Sequence, residues 1–242
     1  MDLRKIDIEI HSFCNRCCKW CSNSVYKRDF YIEMKDSVFS KIIDELKQIN
    51  YKGPVFFTRY NEPFYNRDYL KRRIKEVREK LPNNKIGCNT NGDYNYDDYD
   101  LDYITVTDYD NKLEEMCDEE KGIRIFRLQN ICDRGGILKN LSKKRTNPCF
   151  EPHYVVAIDY LGNITFCCNM RIECPTHTPY IFGNIENISI LEAFNSKEAK
   201  RFREDVKIMD FPEPCKYCDM KPGRFSRKTP SLCRDMDSYE DS

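Results

Sequence analysis

A short loop near the start of the chain carries four cysteines in eight residues. Cys14, Cys18 and Cys21 stand at the spacing C-x3-C-x2-C, directly after a predicted strand at 5–10. Three thiolates on one loop can hold three corners of a cubane iron–sulfur cluster and leave the fourth iron without a protein ligand. Such an iron is free to bind a small molecule. The loop therefore indicates a redox cluster with an open coordination site.

Two other structures place cysteines this close together, namely zinc knuckles and the disulfide frameworks of secreted proteins. The first residues, MDLRKIDIEI, lack the long apolar core of a signal peptide. Dense disulfides are typical of small exported domains. We therefore expect a cytoplasmic protein with reduced, metal-bound thiols, and we favour a redox cluster over zinc on this loop.

Length and charge restrict the possible partners. The chain has 242 residues, of which 40% are hydrophobic, enough for one sizeable domain or one and a half. Forty basic residues balance forty acidic ones, which argues against a dominant surface for nucleic acid or membrane. No apolar run approaches the length that crosses a bilayer. We expect neither a membrane nor a nucleic acid as partner.

The fourteen cysteines are distributed unevenly, with four on the N-terminal loop and seven after residue 148. Between these groups lie Cys88, Cys117 and Cys132, which we expect to be small buried apolar side chains rather than ligands. Two metal sites, one towards each end of the chain, are therefore predicted.

Strand and helix patterns alternate over the first 128 residues. Ile6, Ile8 and Ile10 alternate with acidic residues and predict the first strand. Apolar spacing predicts helices at 39–49, capped by Asp36 or Ser37, at 69–81 and, more weakly, at 112–120, with strands at 55–58, 85–90, 103–107 and 123–128. This order predicts βαβ units and a parallel sheet whose active site lies at the carboxyl ends of the strands.

The pattern changes after residue 148. Two apolar runs, 154–158 and 164–168, flank a turn sequence and predict a hairpin. Ser189 and Glu192 have the spacing of a capping box that opens a helix. The residues expected on one face of that helix are Leu191, Phe194, Phe202 and Val206. A hairpin, a helix and the pair Cys215-x2-Cys218 together indicate a second, smaller module.

The N-terminal loop resembles that of the radical S-adenosylmethionine (radical SAM) superfamily, whose motif carries an aromatic residue just before its last cysteine. Trp20 stands at that place here. The resemblance implies that Cys14, Cys18 and Cys21 hold the catalytic [4Fe–4S] cluster and that Trp20 lies beside the cofactor. Cys17 falls outside the motif's spacing and is interpreted as a spare thiol.

Two further segments are similar to motifs of the same superfamily. Residues 58–63, Thr-Arg-Tyr-Asn-Glu-Pro, correspond to its G-G-E-P-like segment, so that Glu62 would hold the amino group of SAM. Tyr60 and Asn61 stand where glycines are usual, and their bulk could narrow the pocket or reach towards the substrate. The alternative for Glu62 is a solvated carboxylate after a strand.

Residues 89–92, Asn-Thr-Asn-Gly, are similar to the superfamily's T-N-G segment, which implies that Asn89, Thr90 and Asn91 lie beside the cofactor. Arg134 follows the fifth strand, where an arginine could pair with a carboxylate or sit beside the site of hydrogen abstraction. A surface arginine on a plain turn is the alternative for Arg134, and more so for Arg127.

The C-terminal cysteines resemble those of the auxiliary-cluster domains called SPASM and, in the shortened form, twitch. The resemblance implies that Cys149, Cys167, Cys215 and Cys218 hold one auxiliary [4Fe–4S] cluster. A zinc ribbon made of the same four thiolates is the structural alternative. Three cysteines are left over, and each could replace an assigned ligand: Cys168, Cys174 and Cys233.

These resemblances imply an α/β fold: a partial (β/α)6-type radical SAM barrel with parallel strands over residues 1–146, followed by a small hairpin-plus-helix twitch/SPASM-like module over 147–242. The implied reaction is reductive cleavage of SAM to a 5′-deoxyadenosyl radical, which takes a hydrogen atom from the substrate. An auxiliary cluster implies further oxidation of the substrate radical, and a flavodoxin or ferredoxin would be the electron donor.

The substrate is predicted less directly. We expect a small sugar-, polyol- or nucleotide-like molecule, because no additional peptide-recognition domain is evident in the sequence. A maturase that modifies a ribosomally made peptide is the second prediction. A zinc- or cluster-stabilised binding module without enzymatic activity is the third.

Overall fold

A computed structural model describes residues 2–110, 112–127, 133–138 and 144–218. Cys132, Cys233 and the rest of 219–242 lie outside the described residues. The described strands are β1 (Lys5–Ile8), β2 (Val55–Phe57), β3 (Ile86–Thr90), β4 (Tyr103–Asp108), β5 (Met116–Asp118), β6 (Ile123–Arg127), β7 (Val155–Ile158) and β8 (Ile164–Thr165). The helices are α1 (Asp36–Gln48), α2 (Arg67–Lys80), α3 (Glu151–Tyr154), α4 (Ile190–Asn195) and α5 (Lys197–Lys207).

The strands form one sheet in the order β5-β6-β4-β3-β2-β1-β7-β8. From β6 to β7 every neighbouring pair is parallel, whereas β5 and β8 are antiparallel to their neighbours at the two edges. Helices α1 and α2 connect the first three parallel strands, as βαβ units require. The predicted α/β class with a mainly parallel sheet is therefore confirmed.

The two faces of β1 are both buried but differ in polarity. Ile6, Ile8 and Ile10 belong to the hydrophobic core that also contains the apolar stripe of α1. Asp7 and Glu9 are also buried, and successive side chains of a strand point to opposite faces. The face away from the helices therefore carries buried carboxylates.

The helix predicted at 112–120 is wrong, because β5 lies there and pairs with β6. This segment carries only three apolar residues, which is too few to cover one side of a helix. Its backbone groups instead bond to the edge of the sheet. Cys117 on β5 is half-buried and disulfide-bonded rather than a reduced, buried thiol, whereas Cys88 is fully buried as expected.

The predicted C-terminal hairpin belongs to the main sheet. β7 pairs in parallel with β1, from Lys5 opposite Val155 to Ile8 opposite Ile158, and β8 returns beside it. At the turn Gly162 has φ +87° and donates its N–H to the carbonyl of Asp159 at 2.8 Å. The two predicted domains thus share one sheet and one core, and the boundary at residue 146 stays a prediction.

The region after the hairpin contains two short helices instead of one. The capping box of Ser189 and Glu192 is confirmed, but α4 ends at Asn195, and the extended Ser196 caps α5. Leu191 is exposed, unlike Phe202 and Val206, because the break changes the helical register. Helix α1 also differs, since Lys35 is its N-cap and makes no side-chain cap bond. None of the described helices has both the length and the apolar composition of a transmembrane segment.

Candidate active site

The predicted motifs meet at one edge of the sheet. β1, β2, β3 and β4 are parallel neighbours, so their carboxyl ends lie side by side. The cysteine loop follows β1, residues 58–63 follow β2, residues 91–93 follow β3 and Tyr109 follows β4. This is the edge at which parallel sheets bind ligands.

The three thiols of the C-x3-C-x2-C spacing lie close together. Burial raises the pKa of the Cys14 thiol to about 12, and negative charge on Cys18 or Cys21 raises it further. Cys17 is exposed, and its thiol donates to the carbonyl of Asn23 at 3.0 Å. Thiolates that repel each other in this way require positive charge to stabilise them, which cluster irons supply.

Arg16 fixes the cysteine loop to the neighbouring strand ends. Its guanidinium forms ion pairs with Asp93 after β3 and with Asp110 after β4, the latter at 3.0 Å. The adjacent Asn15 donates to Asp93 at 2.6 Å and accepts from the amide of Asn91 at 2.9 Å. The loop is therefore held between two other elements of the site.

Glu62 is 1% exposed, so the alternative of a solvated surface carboxylate is wrong. Its carboxylate accepts hydrogen bonds from the N–H groups of Phe64 and Asn91 and from the hydroxyl of Thr90, at 3.2, 2.8 and 2.7 Å. Burial nonetheless raises its pKa to about 7. The backbone N–H of Glu62 donates to the carbonyl of Phe13, which places this segment beside the cysteine loop.

The segment that ends β3 and follows it is held by the hydrogen bonds of Thr90 and Asn91 to Glu62. Gly92 has φ +76°, a left-handed conformation that favours glycine, and its N–H donates to the hydroxyl of Thr90. The amide nitrogen of Asn91 lies 3.9 Å from the sulfur of Cys14. Asn89 is exposed on the face of β3 opposite to buried Cys88 and Thr90. Cofactor binding by these residues stays a prediction.

Tyr60 and Asn61, which stand in place of glycines, behave differently. Tyr60 is buried, its hydroxyl donates to the carbonyl of Asn169 at 3.0 Å, and its N–H donates to Glu9. Asn61 is only 8% exposed, yet neither atom of its amide has a partner among the described residues. The amide of Asn61 therefore offers both of its N–H donors and its carbonyl oxygen to a ligand.

Sequence reasoning missed Tyr109, which comes directly after β4. Its ring stacks on Trp20 with centroids 5.5 Å apart. Burial raises the pKa of Tyr109 to about 12; the charge of Arg134 lowers it and the Cys18 and Cys21 thiols raise it. The indole N–H of Trp20 is buried without a partner in the described structure. Its position in the sequence could have identified it, because a residue that directly follows a parallel strand lies at the edge of the sheet where the active site is expected.

Arg134 lies beside the cysteine loop on a tight turn. It has φ +55°, and its Nε donates to the carbonyl of Trp20 at 3.4 Å. The buried His177 donates from Nε2 to the carbonyl of Gly135 at 2.7 Å and accepts at Nδ1 from the N–H of Arg171. The turn is thus held by the C-terminal region, and a role for Arg134 in the reaction stays a prediction. Arg127 ends β6, and its side chain is outside the described structure.

The four predicted auxiliary thiols also gather. Burial raises the pKa of Cys215, and negative charge on Cys218 or Cys149 raises it further. A hydrogen bond with Cys168 is the main cause of the raised pKa of Cys167, which Cys218 and Cys149 also affect. Cys168 is therefore a fifth thiol at this site. The leftover Cys174 instead contacts the hydroxyl of Thr176 at 3.2 Å.

Both thiol groups have the donor chemistry of iron–sulfur clusters, because each brings several cysteines close together. A cubane distributes its thiolates over separate irons, so three thiolates leave one iron open to a ligand. The donor sets, with the groups of Trp20 and Asn61 that have no partner in the described structure, therefore fit clusters and a bound small molecule.

Comparisons with known proteins agree with these motifs. The radical SAM superfamily model matches residues 8–125, and the model of the SPASM iron–sulfur cluster-binding domain matches 149–219. An S-adenosyl-L-methionine-dependent 2-deoxy-scyllo-inosamine dehydrogenase of Niallia circulans is 24% identical over 221 residues, which cover 84% of this chain and 86% of the relative.

Solved structures show the same fold. A crystal structure of BtrN in complex with AdoMet and 2-DOIA has a TM-score of 0.79 at 22% identity, covering 95% of this chain and 98% of that one. SuiB of Streptococcus suis bound to the precursor peptide SuiA has a TM-score of 0.59 at 12% identity, covering 91% of this chain and 76% of that one. The chain therefore belongs to the radical SAM superfamily, with a [4Fe–4S] cluster and SAM as cofactors and a SPASM iron–sulfur cluster-binding domain after its core.

Proposed function

We propose that this protein is a radical SAM dehydrogenase that oxidises an alcohol carbon of a small sugar-, polyol- or nucleotide-like substrate. The observation that carries the proposal is the match to a dehydrogenase of an aminocyclitol over most of both chains. The match to BtrN over 95% of this chain supports the same fold for the whole described part.

Cys14, Cys18 and Cys21 would hold the catalytic cluster, and Cys149, Cys167, Cys215 and Cys218 the auxiliary cluster that serves as electron acceptor. When bound, the reduced catalytic cluster and SAM supply a 5′-deoxyadenosyl radical that removes a hydrogen atom from the substrate carbon.

The chain's own residues would bind SAM, orient the substrate and shield the site from water. Glu62 pairs with the ammonium group of SAM when its carboxyl is ionised, and Asn61 bonds to the same amino acid moiety. Asn89, Thr90 and Asn91 border the cofactor on the next strand. Trp20 and Tyr109 stack beside the cysteine loop and keep water from it, and Tyr60 closes the side towards the C-terminal region. Arg134, next to the Gly135 carbonyl that His177 bonds, borders the substrate.

Two alternatives remain from the sequence. Peptide modification has support from the fold of SuiB, but the TM-score is lower and less of that chain is covered. A binding module without activity would not cleave SAM.

For the dehydrogenase we expect a small redox protein such as a flavodoxin or ferredoxin to supply the electron.

The test is anaerobic reconstitution with iron and sulfide, followed by incubation with SAM, reductant and candidate substrates. We expect 5′-deoxyadenosine in equal amount to a product that has lost two hydrogens, detected by mass spectrometry. The set includes 2-deoxy-scyllo-inosamine, related polyols and sugars, and a cysteine-containing peptide. If only the peptide is converted, the protein is a peptide maturase and not a dehydrogenase of small molecules. Absence of 5′-deoxyadenosine would refute both functions.

A further inference from the structure

Arg59 lies between β2 and the Tyr60–Pro63 segment, and most of its hydrogen-bonding capacity is unused. A guanidinium has five N–H donors. One Nη2 donor bonds to the carbonyl of Met170, but Nε and Nη1 are buried and have no partner among the described residues. Burying a charged group without partners is costly, so such a group is expected where a ligand supplies them.

Asn169 also has a buried donor without a partner in the described structure, and it precedes Met170, to which Arg59 bonds. It is 3% exposed, and its Nδ2 has no partner within the described chain. The hydroxyl of Tyr60 bonds to the carbonyl of Asn169, while Arg59 bonds to the carbonyl of Met170. Arg59 and Asn169 therefore flank one junction between the active edge and the C-terminal region. Their unpartnered groups are all donors, which favours a ligand rich in acceptors.

The charge of Arg59 also lacks a direct partner. No acidic side chain of the described residues forms an ion pair with it. Burial raises the pKa of the Asp159 carboxyl, and the positive charge of Arg59 offsets part of that rise. However, one Asp159 oxygen accepts from the N–H groups of Leu161 and Asn163, and both accept from the Asn163 amide. Asp159 is thus committed to its own turn.

We propose that Arg59, assisted by the amide of Asn169, binds an oxyanion of the substrate, either a carboxylate or a phosphate. This inference rests on the proposed function and adds the chemical class of substrate to it. The planar guanidinium matches two oxygens of such a group. The amine of an aminocyclitol is cationic and would be repelled by Arg59. The substrate of this protein would therefore differ from that of the aminocyclitol dehydrogenase relative.

The experiment measures binding to the reconstituted holoenzyme with SAM present, by calorimetry with matched probes. The pairs are glucuronate with glucose, and myo-inositol 1-phosphate with myo-inositol; 2-deoxy-scyllo-inosamine is the cationic probe. In the wild type we expect at least one anion to bind about 10- to 100-fold more tightly than its neutral counterpart. Which pair shows the preference distinguishes a carboxylate from a phosphate. Arg59→Gln should abolish the preference, and Arg59→Lys should retain part of it.

The control is Arg201→Gln, which removes an exposed guanidinium on α5 and should keep the preference. Equal binding of anionic and neutral probes by the wild type, or a preference that survives in Arg59→Gln, would overturn the assignment. An equal loss of SAM affinity in Arg59→Gln would also overturn it, because the oxyanion would then be the carboxylate of SAM. Formation of 5′-deoxyadenosine after a reductant is added to the same wild-type samples tests the proposed function separately.

Discussion

Glu62 shows how a single residue is controlled by opposing effects. Removal from water raises its pKa to about 7, although three hydrogen bonds to its carboxylate favour the charged form. A group that is half ionised near neutral pH changes the charge of the cofactor pocket within the physiological range. The charged form is the one that can pair with an ammonium group.

We therefore expect SAM affinity to depend on pH through Glu62. Because the pKa is raised to about 7, the carboxyl is neutral well below pH 7 and charged above it. SAM should bind more tightly as the pH rises from 6 to 8, and Glu62→Gln should remove this part of the dependence. Equilibrium binding at constant ionic strength measures it. Glu79→Gln, at an exposed carboxylate on α2, is the control; an identical pH profile in Glu62→Gln would contradict the role.

The N-terminal loop allows a direct comparison of adjacent cysteines. Cys18→Ala should lose 5′-deoxyadenosine formation and the iron of one cluster, about half of the total for two equal cubanes. Cys17→Ala should keep both, since the Cys17 thiol is exposed and bonds to the Asn23 carbonyl. Iron, sulfide and 5′-deoxyadenosine are measured together. Full activity in Cys18→Ala, or a loss confined to Cys17→Ala, would contradict the ligand assignment.

At the scale of elements, the auxiliary thiols come from three separate segments. Cys149 precedes α3, Cys167 follows β8, and Cys215 and Cys218 lie at the end of the described chain. Arg145 links two of these segments, because its guanidinium donates to the carbonyls of Asn147 and Cys218 at 2.7 and 3.1 Å. Loss of the last segment should therefore affect the auxiliary site and leave the strand ends intact.

The double variant Cys215→Ala/Cys218→Ala tests that separation. We expect about half of the iron, continued cleavage of SAM and no oxidised product, because the catalytic cluster keeps its own three ligands. Cys174→Ala is the matched control, a buried thiol outside the site. Cys168→Ala should keep the auxiliary cluster unless Cys168 replaces Cys167 as ligand. Zinc at this site after anaerobic, iron-replete expression would show that the module is structural.

At the scale of the whole molecule, a buried network of charges joins the active edge to the C-terminal region. Arg28 bonds to Glu9 at 2.7 Å and to Glu173 at 2.5 Å. Glu173 also bonds to Arg171, which donates to Ser22 and Asn23 just after the cysteine loop. Residues far apart in sequence are thus held in one arrangement beside the cysteine loop.

Arg28→Met should lower the free energy of unfolding by about 3–5 kcal/mol, because it leaves the fully buried Glu9 without its cation. Arg72→Met is the control, since the ion pairs of Arg72 are exposed and are worth about 1 kcal/mol or less. Urea denaturation of the two variants gives the comparison. A loss in Arg28→Met no larger than in the control would show that Glu9 is stabilised without Arg28.

Features that depend on local spacing can be predicted from the amino-acid sequence. These are the C-x3-C-x2-C loop, the strand and helix pattern with its parallel sheet, the capping box at Ser189 and the order of the motifs along the chain. Hydrophobic periodicity and turn chemistry act between near neighbours, so they can be read without coordinates. The helix prediction for residues 112–120 is wrong because their few apolar residues fit a sheet edge as well as a helix.

Which residues share a site depends on how the chain folds in three dimensions. The fold places β7 beside β1, buries Glu62 between two strand ends and stacks Tyr109 on Trp20. It also leaves Nε and Nη1 of Arg59 without a hydrogen-bond partner among the described residues. Each of these facts depends on the register and order of strands that lie tens of residues apart in the chain. The burial of a side chain and the charges around it depend on the neighbours that the fold brings together, and the residue type does not specify them.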